Sequence, residues 1–378
     1  MPRDPKQSIA SVIIREAHLE DVLCTPKTLV VDADTMAQTD GLSNVFLIQK
    51  AISLMNRSSD VVLQWDDEPF KLFVQAPNSY PLLACFILHS NITHIANNPT
   101  FAFPLKSIRS TIHLARVKFD WFSEPKALLC ADHLGLGRQR ELYASEAATS
   151  IRPREDFEAL VFPYVEALLA VDVNEQNIFR WREAFTSVIY ELFENTDLHG
   201  RTDETGLVLE TSIRGILFKE VLVPPYQPVR GKTPNLIRCL EISIFDGGVG
   251  YFSKRTQTRI TDDVPIKDEW TAMHLCLSTH LEFSGAIQVG KGQHGIGLYE
   301  VLRALKFLNG AIEFRTGRLH AYRSFFPGDL TLQMESNDSN RPNMPKPVLL
   351  DYQEKYIPKP TQQPEVVGTA VRVLVPIR

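Results

Sequence analysis

Hydrophobic positions in the first 120 residues fall in short runs. Residues 28–33 read as a buried strand, 42–55 as a helix with Val45, Leu47, Ile48, Ile52 and Leu54 apolar, and 60–65 as a second strand. Strand, helix and strand at this spacing predict a parallel pair joined by a right-handed crossover. Asp66 and Asp67 mark a turn, 70–74 a third strand, 82–88 a helix, and the alternation over 101–119 one or two further strands. Residues 121–175 read as a helical connector, charged and periodic over 138–149, interrupted at Pro153 and strongly apolar over 156–170.

The pattern changes after residue 176. Ile178, Trp181, Phe185, Val188, Ile189 and Leu192 recur at helical spacing, which predicts a helix with one face in a core, closing at Gly200. A β-rich run over 207–222 follows, then a strand over 236–245 that ends in Asp246-Gly247-Gly248-Val249-Gly250. The irregular, polar stretch 251–289 reads as a lid. Gly290-Lys291-Gly292-Gln293-His294-Gly295-Ile296-Gly297-Leu298 opens a helix through 308, and strands follow near 311–315 and 321–326. Residues 328–366 form a proline-rich insertion, and a last strand opens with Gly368-Thr369.

Composition narrows the class without choosing a function. With 378 residues the chain has room for two domains, and 44% hydrophobic with 22% charged residues is ordinary for a soluble globular protein. A net charge of −5 gives no reason to expect nucleic-acid binding. No stretch reaches the ~18 apolar residues of a membrane span, and Met1-Pro2-Arg3-Asp4 leads into no apolar signal segment. The five cysteines are scattered without a CxxC pair, as reduced small hydrophobes would be. A cytoplasmic protein is expected. His89 with His94, and His274 with His280, lack the further ligands of a tetrahedral metal site.

The chemistry concentrates after residue 190. Glu191 and Asn195 are four apart on a helix, so both leave its same side. A carboxylate there can activate a nucleophile, and an amide oxygen suits a hard cation such as Mg²⁺. Alone, such a pair is an ordinary solvated helix face. Asp246 leaves a strand end in apolar surroundings, where a carboxylate needs a donor. Gly248 and Gly250 let the chain turn closely, and Gly295 and Gly297 offer backbone N–H groups at a helix N-terminus, a natural phosphate site. Lys291 stands where it can meet a phosphate or simply be solvated.

In this order, Glu191 and Asn195, then Asp246, Gly248 and Gly250, then Gly295, Gly297 and Leu298, then Gly368-Thr369 resemble the motifs of the GHKL superfamily. This is the ATP-binding fold shared by gyrase, heat-shock chaperones, MutL and histidine kinases, and the resemblance covers 176–378. It implies an α/β fold: a two-layer sandwich with a mixed sheet and helices on one face, preceded by a smaller α/β unit over 1–120. It implies ATP and Mg²⁺ as cofactors. Asp246 would accept the adenine amino hydrogen, with Thr369 assisting through its hydroxyl and a water. Asn195 would hold Mg²⁺, Glu191 would orient or deprotonate the nucleophile, and Lys291 with the backbone of Gly295, Ile296, Gly297 and Leu298 would meet the phosphates. His199 matches a position where members carry His or Tyr, and equally suits a helix end.

Departures temper the activity. Gln293-His294 replaces a further glycine, and Leu198 stands where histidine kinases carry Lys. Gyrase-like and MutL-like members take a phosphate-sensing lysine from a following domain, so slow hydrolysis is expected here. Two uses follow: a nucleotide switch acting on its N-terminal unit, a protein partner or a homodimer; or a protein kinase, anti-sigma-type or histidine-kinase-like, passing the γ-phosphate to a partner. His18, His113 and His133 lack the surroundings of a phospho-acceptor histidine. Gln38-Thr39-Asp40-Gly41-Leu42 is faintly similar to the segment of STAS domains that carries a phosphorylated serine, with Asp40 at that place between Thr39 and Ser43.

Overall fold

The structure, a computed structural model, describes residues 7–8, 27–31, 44–57, 61–66, 68–97, 103–113, 126–134, 142–145, 150–159, 175–224, 236–277, 297–326, 349–354 and 359–377. Its first part comprises β1 (Gln7–Ser8), β2 (Lys27–Val31), α1 (Val45–Arg57), β3 (Val61–Trp65), α2 (Pro69–Gln75), α3 (Tyr80–Leu88), β4 (Ile92–Ala96) and α4 (Leu105–His113). The strands form one parallel sheet in chain order, with β2 and β3 in register from Lys27↔Val61 to Val31↔Trp65, as the strand–helix–strand spacing predicts. The segment 38–43, with Asp40, lies outside the described residues.

Two sequence expectations fail here for the same reason. Residues 70–74 are helical, in α2, not a strand. Pro69 opens the helix with its φ preset, and Leu72 and Phe73 are both buried while Val74 is 60% exposed. A strand would have put 72 and 74 together. Of the run over 101–119, the described residues 103–113 hold α4, whose buried Ile108 and Ile112 are four apart, one helical turn and not a strand period, while 114–119 lie outside the described residues. The next strand is instead β4, just before it.

The second part contains β5 (Lys126–Ala131), a helical segment over 154–159, α5 (Glu175–His199), β6 (Ile213–Val223), β7 (Ile237–Asp246), α6 (Gly250–Thr256), α7 (Ile266–Leu277), α8 (Gly297–Phe307), β8 (Ala311–Gly317), β9 (Leu319–Ser324), β10 (Leu350–Asp351) and β11 (Val366–Pro376). They build a seven-stranded sheet in the order β10-β9-β8-β11-β7-β6-β5. The expected mixed sheet is antiparallel at every neighbouring pair. The crossover from β7 to β8 does return the chain in the same direction, but β11 slots between the two strands and opposes both.

The expected helical connector contributes an edge strand. β5 pairs with β6 from Lys126↔Phe218 to Ala131↔Ile213. Ala127, Leu129 and Ala131 join one core and Leu128 and Cys130 the other, so both faces are covered and the run lacks alternation. The expected lid is also part fixed. α6 and α7 are packed elements, and Glu269 of α7, 1% exposed, accepts the Arg318 Nε–H at 2.6 Å and the Arg318 backbone N–H at 2.9 Å. Residues 278–289 of the expected lid lie outside the described residues. At the end of the proline-rich insertion Asp351 accepts backbone N–H groups from Glu354 at 2.7 Å and Thr361 at 2.8 Å, so this part is ordered against β10.

The two faces of the large sheet bury different partners. Phe185, Val188, Ile189, Leu192 and Phe193 of α5 and Val301, Leu302 and Leu305 of α8 cover one face. On the other, Ala127, Leu129, Ile213, Leu217, Phe245 and Ala370 share a continuous core with α1, α3 and the parallel sheet. All nine residues of α3 are buried, which suits a helix that is apolar all round. No described helix is long and apolar enough to cross a membrane.

Removing residues 1–114 would uncover Leu129, Ile213, Leu217 and Phe245. Each loses about 1.5–3 kcal/mol of burial, together comparable with a typical net stability of ~5–15 kcal/mol. The truncated chain is expected to aggregate or to lose its near-ultraviolet circular dichroism. A soluble fragment with a cooperative melt near that of the full chain would contradict this packing.

Candidate functional site

β7 is buried over its last eight residues and delivers Asp246 to the end of the core, 7% exposed. Its Oδ1 accepts the backbone N–H of Gly248 at 2.9 Å and of Thr369 at 3.3 Å. Among the described residues no donor reaches Oδ2. Burial raises its carboxyl pKa to about 6, against the opposing pull of those two N–H groups and of the Arg214 charge.

Chain segments close around this carboxylate because side chains are missing from them. A Cβ on Gly200, at the end of α5, would lie 2.5 Å from the Asp246 Cβ. Gly368 has φ +65° and a Cβ there would lie 2.0 Å from the Asp246 carbonyl oxygen, so only glycine fits. The register of β11 against β8 breaks between Val366 and Thr369, and this bulge turns the Thr369 N–H toward Asp246. Thr369 therefore meets Asp246 through its amide, not the expected hydroxyl, which donates to the Thr316 Oγ1 at 3.3 Å. Gly250 packs into the same cluster, its ideal Cβ position 2.6 Å from Thr316 Oγ1.

The end of α5 is held from below by buried charge. Arg214, on β6 directly opposite Asp246, is fully buried. Its Nε donates to Asp132 at 2.9 Å and its Nη2 lies 3.1 Å from the Asp197 carboxylate. The Tyr143 hydroxyl donates to Asp197 at 2.5 Å. These bonds tie the last turn of α5 to β5 and β6, which fixes Gly200 against Asp246.

Glu191 and Asn195 are half-buried further up α5. Burial raises the Glu191 pKa, reinforced by Glu194 and by Glu300 in the first turn of α8, and opposed by Arg154. The face that carries Glu191 thus looks toward the start of α8, where Leu298 is buried and Gly297 opens the helix. Glu194 is engaged elsewhere, accepting from the Tyr190 hydroxyl at 3.2 Å. His199 is exposed at the helix end. Lys291, Gly295 and Ile296 lie outside the described residues.

The structure therefore gathers Asp246, Gly248, Gly250 and Thr369 at one point, with the Glu191 and Asn195 helix leading to it and α8 packed alongside. Among the described residues no group of three or more His, Cys, Asp or Glu could hold a metal. Sequence reasoning missed Thr316 and three residues of α1. Ile52 Cγ2 lies 3.6 Å from the ideal Cβ position of Gly247, while Gln49 and Ser53 bond the β11 bulge. Gln49 and Ser53, four apart on one face of a helix that also carries Lys50, Asn56 and Arg57, were the available signal. Comparisons with protein-family models, with curated proteins and with solved structures give no significant match.

The Asp246 carboxyl yields a stability prediction. Its folded pKa of about 6 exceeds the ordinary 3.8, so its relative stabilisation is present below that ordinary value and lost as pH rises through 6. The buried charge then costs roughly 3 kcal/mol at pH 8. In Asp246→Asn the amide oxygen still accepts both N–H groups, so the variant is expected to melt several degrees higher at pH 8, with the gap closing toward pH 4. A lower melting temperature at pH 8, or a gap independent of pH, would contradict the assignment.

Proposed function

We propose that the chain is a GHKL-type protein that binds Mg²⁺-ATP between β7, the start of β11 and the end of α5. The observation that carries this reading is Asp246: a buried carboxylate with both described donors on Oδ1, in a cluster from which Gly200, Gly248 and Gly368 keep side chains out. Oδ2 would accept the amino hydrogen of adenine, an interaction that guanine, with a carbonyl at that place, cannot make.

The remaining roles follow from position. The α8 N-terminus offers partial positive charge to phosphates. Asn195 supplies one oxygen to Mg²⁺, and the phosphates and water supply the rest. Glu191, whose pKa burial raises, takes the proton of the attacking hydroxyl, water or imidazole while the attacking atom bonds the γ-phosphorus and the bond to ADP breaks. With water as nucleophile the protein is a slow ATPase that resets a nucleotide switch; with a protein hydroxyl or imidazole it is a kinase. α1, in contact with both sheets, is the element through which the nucleotide state would reach the N-terminal unit.

Incubation with γ-labelled ATP separates these uses. Full-length protein is expected to bind ATP in a Mg²⁺-dependent manner that Asn195→Ala weakens. Glu191→Ala is expected to retain binding while phosphate release falls by about 10²–10⁴-fold. Label on a partner protein in place of free phosphate assigns the kinase. Absence of ATP binding, or binding unaltered in Asp246→Ala, would overturn the site.

A further inference from the structure

A β-bulge breaks the hydrogen-bond ladder, and the freed backbone groups need other partners. Four polar groups of the β11 bulge have traceable ones. The Val367 N–H donates to Ser53 Oγ at 2.9 Å, and the Val367 carbonyl accepts from Gln49 Nε2 at 3.1 Å. The Gly368 carbonyl accepts from Thr316 Oγ1 at 3.2 Å, and the Thr369 N–H goes to Asp246. Gln49 and Ser53 belong to α1, whose core otherwise joins the N-terminal sheet. Side chains from α1 thus take the place of a ladder strand for the residue two positions before Thr369.

The chemistry at these positions is directional. Gln49 and Ser53 are 1% and 2% exposed. The Ser53 hydroxyl donates to the Gln49 carbonyl at 2.8 Å, so its oxygen is free to accept from Val367. Gln49 Nε2 also donates to the Arg315 carbonyl at 3.0 Å on β8, across the break in register. Two carbonyl acceptors fix the orientation of the amide, and Gln49 Oε1 is left buried without a hydrogen bond. A residue that served packing alone would do so better as leucine, with no stranded acceptor.

We infer that Gln49 and Ser53 are positioning residues for the adenine pocket, holding the bulge so that Thr369 faces Asp246 and letting the N-terminal unit set the affinity for nucleotide. This rests on the reading of Asp246 as the adenine acceptor. The path is short: α1 side chain, Val367 backbone, Gly368, Thr369 amide, Asp246 carboxylate. Whatever shifts α1 relative to the large sheet loosens the bulge, and by reciprocity nucleotide binding stiffens α1. Besides its own oxygens, the charged and titratable groups acting on Asp246 are Arg214 of β6 and Tyr251 of α6.

The test uses full-length protein, wild type and Ser53→Ala, Gln49→Leu and Ser53→Thr, with three readouts: ATP affinity, the pH midpoint at which Asp246 titrates, read from the pH dependence of melting, and the melting temperature itself. Ser53→Ala and Gln49→Leu are expected to weaken ATP about tenfold, in line with losing a buried hydrogen bond. They are also expected to move the Asp246 midpoint upward, as its carboxylate loses the Thr369 donor. Ser53→Thr keeps the hydroxyl and is expected to restore both. Lower melting temperatures with wild-type ATP affinity and an unmoved midpoint would reduce α1 to packing and overturn the inference. A wild type without ATP affinity would overturn the ATP reading instead, and the midpoint would still decide whether α1 positions Asp246.

Discussion

A carboxylate at the buried end of a strand is the constraint around which this structure is arranged. Asp246 is only 7% exposed, so its charge has little access to solvent and backbone N–H groups are brought to it. One comes from the turn that follows β7. The other requires the last strand to bulge, and the bulge requires a glycine at 368 with positive φ. The end of α5 must come within contact, which requires glycine at 200 and the buried Arg214, Asp132 and Asp197 charges beneath it. Those charges are themselves expensive to isolate, since breaking a buried pair typically costs about 3–5 kcal/mol. Burial accordingly makes the charged form of Asp246 unfavourable, and its pKa rises to about 6.

What the sequence made legible follows from range. The helix over 176–199, the strand leading to Asp246 and the closing strand each carry their period within one segment, and all are present. The residues at which those segments converge, Asp246, Gly248, Gly250 and Thr369, could be named because each sits at a segment end marked by glycine. β5 could not be read, because a strand covered on both faces lacks alternation and sits among residues that look helical. α2 was misread because Phe70, Leu72 and Val74 alternate, whereas the buried pair is Leu72 and Phe73.

The contribution of α1 was illegible for a different reason. Gln49 bonds a carbonyl 318 positions away, and no local pattern reports that distance. Gln49 and Ser53 stand among Lys50, Asn56 and Arg57 on the same helix, and their spacing does not set them apart. In the fold they are the means by which an N-terminal α/β unit reaches the same bulge that holds Asp246. The sheet thus has a chemical face toward α5 and α8 and, on the other side, a face that α1 clamps.

The central claim is that Asp246 receives an exocyclic amino hydrogen. Equilibrium binding of ATP, of the purine triphosphate that lacks the 6-amino group, and of its N6,N6-dimethyl analogue to the full-length protein tests it most directly. The account expects both analogues to bind at least about tenfold more weakly than ATP, since each leaves the buried carboxylate without its donor. Equal affinity for all three would show that the carboxylate does not read the base, and would contradict the account.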